Sequence, residues 1–220
     1  MNATLVTGIN PKILPSIIRI SHKSPSDTLH DDADFGPKDQ KLIRDTRGWG
    51  HTSPLEFVVL IWYVEDMSRA CLQQLVRHRV ASYCVESTRY VLNRVLEIND
   101  LSTLLRATGN ADIDNHNVET LQKLKQMYKD NPNLKNDEAK YLLPEAFLTR
   151  LYCKFNIRSF RNFLHLRADE HAHPEIRELA CLMIKKLRGS LYETLIEDII
   201  TRVDSQGNGE MIGSVLGKTV

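Results

Sequence analysis

The order of apolar and polar positions divides the chain into a small set of elements. Residues 55–64 are apolar on both alternating faces and carry Val58, Val59, Ile61, Trp62 and Tyr63. That pattern predicts a buried strand. Residues 67–79 have helical spacing through Ala70, Leu72, Leu75 and Val76, and 118–128 also read as a helix. Residues 147–167 and 175–202 read as long helical patterns. Near the start, 4–14 read as a short strand or loop and 15–21 as a short apolar element. The Ser-, Pro-, Asp- and Gly-rich stretch 22–38 predicts a surface loop, as does the Asn-rich stretch 130–137. Residues 138–143 then lead to Pro144. From Ser205 onward Gly, Ser and polar residues predict a frayed tail, which places one domain over 1–204 and a flexible tail over 205–220.

Length and composition agree with one large domain. The chain has 220 residues and is 42% hydrophobic, enough to bury a real core. No apolar run approaches the roughly 20 residues that cross a bilayer. The first twenty residues have apolar patches broken by Asn10, Pro11, Lys12 and Pro15, unlike a secretory signal. A soluble cytoplasmic protein is expected. Cys71, Cys84, Cys153 and Cys181 have neither metal-knuckle nor redox spacing, and are expected to be reduced and mostly buried.

Charge changes the picture. The chain sums to +1, yet between Arg69 and Arg94 there are five Arg and one Glu. Local positive charge of this kind points to an anion site and away from a generally basic nucleic-acid surface. Its centre is Arg77-His78-Arg79, followed by Ser82, Cys84, Glu86, Ser87, Thr88, Arg89 and Tyr90. The guanidinium fork meets phosphate oxygens two at a time. A helix before Ser82 would put Gln74, Arg77 and His78 on one face, and an extended segment after it would put Ser87 and Arg89 on one side with Cys84 on the other. The alternative is a solvated Arg-rich helix followed by an ordinary strand.

Two further groups stand out. His51-Thr52-Ser53-Pro54-Leu55-Glu56 precedes the predicted strand, either presenting polar groups at a cleft or closing a turn. Asn156, Ile157, Arg158, Ser159, Phe160, Arg161, Asn162 and Phe163 continue to Arg167, with Asn156 as an N-cap and Arg158 stacked on Asn162 at i and i+4. This is either an Asn and Arg stripe at a site or a helix whose arginines pair with surface acids. His165, His171 and His173 with Glu175 lack the spacing of a metal helix, and no metal is expected. No Rossmann or Walker glycine loop is present, so any nucleotide must be held by side chains and helix ends.

Together these groups resemble the flavin-dependent thymidylate synthases, whose signature is Arg-His-Arg, seven residues, then Ser. Here it is Arg77-His78-Arg79 with Ser87, continuing into Arg89-Tyr90; the likeness extends through residues 51–56, through Asn136-Asp137-Glu138-Ala139-Lys140 with Pro144, and through 156–167 to His171-Ala172. The resemblance implies an α+β fold, a sheet flanked by long helices, assembled as a homotetramer with shared sites. It implies reductive methylation of dUMP to dTMP, with methylenetetrahydrofolate giving the carbon and FAD relaying hydride from NADPH. Carried over residue by residue, FAD contacts are Ser53, Glu56, Arg77, His78, Arg79, Asn156, Arg158 and Asn162. The dUMP contacts are Gln74, Ser87, Thr88, Arg89, Lys140 and Arg167, with Arg167 nearest the chemistry. Three departures stand against the family pattern. Cys84-Val85 replaces Asn-Glu, Lys140 replaces an Arg and loses its fork, and Phe57 stands where His is common. Two competing readings are a nucleotide-binding module without turnover and a nucleic-acid binder; the near-neutral charge and the mixed signs over 175–202 weigh against the second.

Overall fold

The computed structural model describes residues 1–20, 35–203 and 210–214. The predicted loop over 22–38 falls mostly outside them. The elements run β1 (Asn2–Gly8), α1 (Leu14–Arg19), α2 (Pro37–Gly48), β2 (Val59–Ser68), α3 (Arg69–Leu75), β3 (Ala81–Val85), α4 (Thr88–Val91) and α5 (Arg94–Glu97). They continue with α6 (Ala111–Asp130), α7 (Asn136–Ala139), β4 (Leu148–Asn156), α8 (Ile157–Arg167), α9 (Pro174–Leu187), β5 (Ile199–Val203) and β6 (Glu210–Ser214). The fold is α+β. A four-stranded sheet has the order β1-β2-β4-β3, and β5 pairs antiparallel with β6. β6 lies inside the stretch whose composition predicts a frayed tail.

Several boundaries differ from the sequence expectation. Residues 147–167 are not one helix: β4 occupies Leu148–Asn156, and α8 begins at Ile157. In β4, Thr149, Leu151, Cys153 and Phe155 are buried while Arg150, Tyr152 and Lys154 are exposed, a period of two. Leu148, Leu151 and Phe155 also fit helical spacing, which is why apolar positions alone misassign this segment. Residues 175–202 likewise split. α9 stops at Leu187, before Gly189 at φ 71°, and the β-branched run Ile199, Ile200 and Thr201 enters β5. The predicted strand over 55–64 starts later, at Val59, because Ser53–Phe57 forms a 3-10 helix with Pro54 in its first turn. α2 has no counterpart among the predicted elements.

The chain forms two compact units. One comprises Met1–Asn2, Val64–Arg77 and Tyr83–Tyr152; the other Ala3–Tyr63, His78–Ser82 and Cys153–Val220. In the first, Leu92, Val95, Leu101, Leu104, Leu121, Leu124, Tyr128, Ala139 and Phe147 form a buried cluster beneath α6. Asp66 interrupts β2 at φ 55°, and the alternate burial of Leu60, Trp62 and Val64 shifts by one so that Met67 and Ser68 are both buried. A single left-handed residue of this kind is how a bulge re-aims a strand.

In the second unit the core is aromatic. Trp62 stacks on Phe160 at 5.8 Å between centroids, and Phe155 lies 5.8 Å from Phe160 and 5.6 Å from Phe163. Phe160 therefore touches both strands' contributions and its own helical neighbour Phe163, at 6.1 Å. Phe160→Ala is expected to lower unfolding free energy by about 3–5 kcal/mol, read from denaturant unfolding with unchanged slope. A loss below about 1 kcal/mol would show that the stack does not hold α8.

Candidate active site

The second unit carries most of the polar groups singled out in the sequence, and α8 orders them. Asn156 Oδ1 accepts the Ser159 N–H at 2.8 Å, so the predicted cap forms. The Ile157 N–H donates to the Val58 carbonyl at 2.9 Å, tying the helix start to the segment leading into β2. Phe160, Phe163 and Leu164 then face the core, and the opposite face presents Arg158 and Asn162 to solvent.

Arg158 and Asn162 open onto a cavity of about 570 Å3, lined also by Arg44, Arg47, Trp49, Thr52, Arg161, His165 and Asp198. Most of this positive charge is already paired. Arg161 is buried and meets Asp198 with both terminal nitrogens, at 2.6 and 2.5 Å, while also donating to the Leu195 carbonyl. Arg47 donates to the Thr194 carbonyl and to Glu197; Arg44 meets Glu197 at 2.7 Å. Burial alone would raise the Asp198 carboxyl, but hydrogen bonds and charge from Arg161, with the charge of Arg47, hold it below its ordinary range. Arg158 Nη1 donates to Glu56 at 2.7 Å. His165 Nδ1 is buried with no hydrogen-bond partner among the described residues. Its pKa is lowered by burial first and then by Arg161, with Asp198 opposing.

At the other end of α8, Arg167 Nε donates to His78 Nε2 at 3.0 Å. An acceptor nitrogen requires a neutral imidazole with its proton on Nδ1. The surroundings enforce this: burial, and then the Arg167 charge, push the His78 pKa down to about 4. The ring also stands edge-on to Phe163, with centroids 5.1 Å apart. The geometry fixes a cation at the helix end by a group that cannot compete with it for charge.

The first unit holds the rest. Arg89 Nε meets Asp137 Oδ2 at 3.0 Å, and Lys140 Nζ meets Asp137 Oδ1 at 3.2 Å. Gln74 is half-buried on α3 and Arg77 is exposed. The expected common face of Gln74, Arg77 and His78 does not form, because α3 ends at Leu75, whose carbonyl accepts the Tyr83 hydroxyl at 2.9 Å. Nor do Ser87 and Arg89 share a strand: β3 ends at Val85, Ser87 is the N-cap position of α4 and Thr88 its first residue. Cys84 is exposed and Cys181 half-buried, against the expectation for both, while burial pushes the Cys153 thiol up to about 12.

Within the second unit, then, the fold joins His78 to Arg167, Glu56 to Arg158, and Arg158 to Asn162 at the cavity. Ser53 and Arg79 are exposed, and Thr52 lines the cavity where Ser53 does not. Sequence reasoning missed Arg44, Arg47, Trp49 and Asp198 at the cavity. Glu86, which the sequence reading named in the charged run without a role, has a carboxylate that meets Arg94 at 2.9 Å and Arg150 at 2.5 Å. The i, i+3 spacing of Arg44 and Arg47 was a usable signal. Nothing local to Asp198 announces its partner, 37 residues away.

The profile of the thymidylate synthase complementing protein family matches residues 5–191. The flavin-dependent thymidylate synthase of Campylobacter jejuni (strain RM1221) is 37% identical over 161 residues, covering 69% of this chain and 77% of that protein. This chain belongs to the flavin-dependent thymidylate synthase family. The synthase of Helicobacter pylori (strain ATCC 700392 / 26695) is 34% identical over 179 residues, covering 76% of this chain and 85% of that one. A crystal structure of thymidylate synthase X from Helicobacter pylori with FAD and dUMP superposes with a TM-score of 0.80 at 31% identity, over 90% of this chain and 98% of that chain.

The neutral state of His78 has a measurable consequence. An unfolded histidine binds its proton near pH 6.5 and the folded one near pH 4, so between those values the unfolded state holds more protons. Stability contributed by neutral His78 is complete above pH 6.5 and declines as pH falls toward 4. Nitrogen-15 NMR of labelled histidine should show His78 neutral at pH 5.5. In Arg167→Gln its pKa should rise yet stay below 6.5, since burial is the larger cause; an imidazolium signal at pH 6 in the unmutated protein would contradict the assignment.

Proposed function

We propose that this chain converts dUMP to dTMP, taking the carbon from methylenetetrahydrofolate and the reducing equivalents from NADPH through bound FAD. The observation that carries the reading is Arg167, held at the end of α8 by neutral His78. Uracil C5 must become nucleophilic, and a guanidinium at the O2 and N3 edge of the ring stabilises the negative charge that accompanies this. His78 orients that guanidinium by accepting from Nε.

The second unit fits FAD. Its cavity offers Arg158 and Arg44 for a pyrophosphate, the exposed indole of Trp49 for an aromatic ring, and His165 Nδ1, without a partner among the described residues, for a polar edge. In this reading Ser53, Glu56, His78, Arg79, Asn156, Arg158 and Asn162 of this unit are assigned to the cofactor, as is Arg77, which belongs to the first unit. Bound there, FAD supplies a hydride carrier between nicotinamide and substrate. Gln74, Ser87, Thr88, Arg89 and Lys140 bind dUMP with Arg167. Residues 1–204 carry this activity in this reading.

The active form in this reading is a homotetramer with sites completed between subunits, in the cytoplasm and without nucleic acid or membrane as partner. Large exposed side chains beside the proposed ligand residues support the assembly: Phe57, Val80 and Leu166 in one unit, and Tyr90 and Tyr141 in the other, with Tyr141 84% exposed. Light scattering should give four times the chain mass. No helix among the described residues is long and apolar enough to cross a membrane.

A purified protein with the absorption bands of oxidised flavin is expected, and a colourless protein that oxidises no NADPH would favour a binding module. Arg79→Ala should fold and lose flavin; equal flavin content would remove that role. Arg167→Lys keeps the charge but has neither fork nor Nε donor. It should retain flavin, bind dUMP more weakly and form dTMP about 10²-fold more slowly in a single turnover with the cofactor reduced beforehand. A rate within a few-fold of the unmutated protein would make Arg167 only a positioning residue. Cys84→Ser should turn over normally, because hydride delivered to uracil C6 makes a cysteine adduct unnecessary.

A further inference from the structure

The two cations assigned to dUMP outside α8 are held by one carboxylate. Asp137 Oδ2 lies 3.0 Å from Arg89 Nε and Asp137 Oδ1 lies 3.2 Å from Lys140 Nζ. Arg89 is engaged through Nε, and its two terminal amino groups have no partner among the described residues. Lys140 spends one of three donors on Asp137, and its Nζ lies 5.8 Å from the Tyr141 ring centroid. Both cations thus keep unused donors while their side chains are restrained.

The same short helix also fixes the backbone at this point. Asn136 Nδ2 donates to the Arg89 carbonyl at 2.7 Å, and Asn136 Oδ1 accepts from the Tyr128 hydroxyl at 2.7 Å. Tyr128 is buried in the cluster beneath α6. A chain of contacts therefore runs from the core of the first unit through Asn136 to the backbone of Arg89, and through Asp137 to its guanidinium. Asp137 itself is stabilised as a carboxylate: the Lys140 hydrogen bond and the Arg89 charge outweigh the small cost of desolvation.

We infer that Asp137 is a positioning residue for nucleotide phosphate recognition, presetting Arg89 and Lys140 so that their remaining donors meet the 5′-phosphate of dUMP. The inference rests on the proposed dUMP assignment of those two residues. A carboxylate near a phosphate also repels it, so two effects of opposite sign compete. Preorganisation wins here because Asp137 is flanked by two cations, is open to screening solvent, and restrains the two side-chain types with the most rotamer freedom to lose. Lys140 makes this more important, since a point charge has no fork to orient itself on phosphate. An Asn at 137 could accept from only one cation and would turn an N–H toward the other.

Calorimetry on the flavin-loaded protein with dUMP, and with deoxyuridine as the phosphate-free probe, separates the possibilities. Asp137→Asn should weaken dUMP about tenfold and leave deoxyuridine within a factor of two. It should raise the KM for dUMP with little change in kcat, and keep flavin content unchanged. Asp137→Glu, which restores the carboxylate, should recover part of the loss and serves if the Asn variant folds poorly. Adding Asp137→Asn to an Arg89→Ala, Lys140→Ala background should cost nothing more. Equal losses for dUMP and deoxyuridine, or tighter dUMP binding, would overturn the inference. If Arg89→Ala with Lys140→Ala leaves the dUMP-to-deoxyuridine ratio unchanged, the dUMP assignment fails and this inference with it. If that pair lowers the ratio and Asp137→Asn does not, only the role of Asp137 fails.

Discussion

The rotation of α8 about its own axis is the constraint on which the site depends. Phe160, Phe163 and Leu164 are fully buried, and the Trp62, Phe155, Phe160 and Phe163 rings form a continuous cluster of stacked and tilted contacts. A helix locked on one face has its other positions fixed by the 100° step between residues. Arg158 and Asn162 must then face the cavity, and Arg167 must leave the last turn where His78 can accept from it. Packing, cap and anchor cooperate, because the Asn156 cap sets where the helix starts and the Ile157 N–H ties that start to Val58.

Electrostatics completes what packing begins. Each arginine lining the cavity has an anion or carbonyl partner: Arg44 with Glu197, Arg47 with Thr194 and Glu197, Arg161 with Asp198 and Leu195, Arg158 with Glu56. Leaving such charges unpaired near a core would be costly. His78 is the exception that reveals a use, since a partly buried histidine made neutral by its surroundings can accept from Arg167 without adding charge. In the first unit Asp137 does related work on two more exposed cations.

Much of this was legible in the sequence, and the illegible parts have common causes. The Asn156 cap and the i, i+4 pairing of Arg158 with Asn162 were readable because both are local, as was the concentration of charge at Arg77, His78 and Arg79. The order of groups carried the family resemblance, which the relatives bear out. What could not be read was pairing at long range. Asp198 with Arg161, and His78 with Arg167, are separated by 37 and 89 residues. Local chemistry also misled where two periods coincided, as in β4, and where a helix stopped short of its predicted end, as α3 does at Leu75. Cys84 was expected inside because cysteine usually is, yet it lies on an exposed position of β3.

Electron counting gives the most direct test of the central claim. Converting a methylene group to a methyl requires two electrons, and if NADPH supplies them through FAD the folate leaves as tetrahydrofolate. The measurement is the folate product and the ratio of dTMP formed to NADPH oxidised, in an anaerobic reaction of purified protein with dUMP, methylenetetrahydrofolate and NADPH. The account predicts tetrahydrofolate and equal amounts of dTMP and oxidised NADPH. Dihydrofolate as the product, or NADPH oxidation without dTMP, would contradict it.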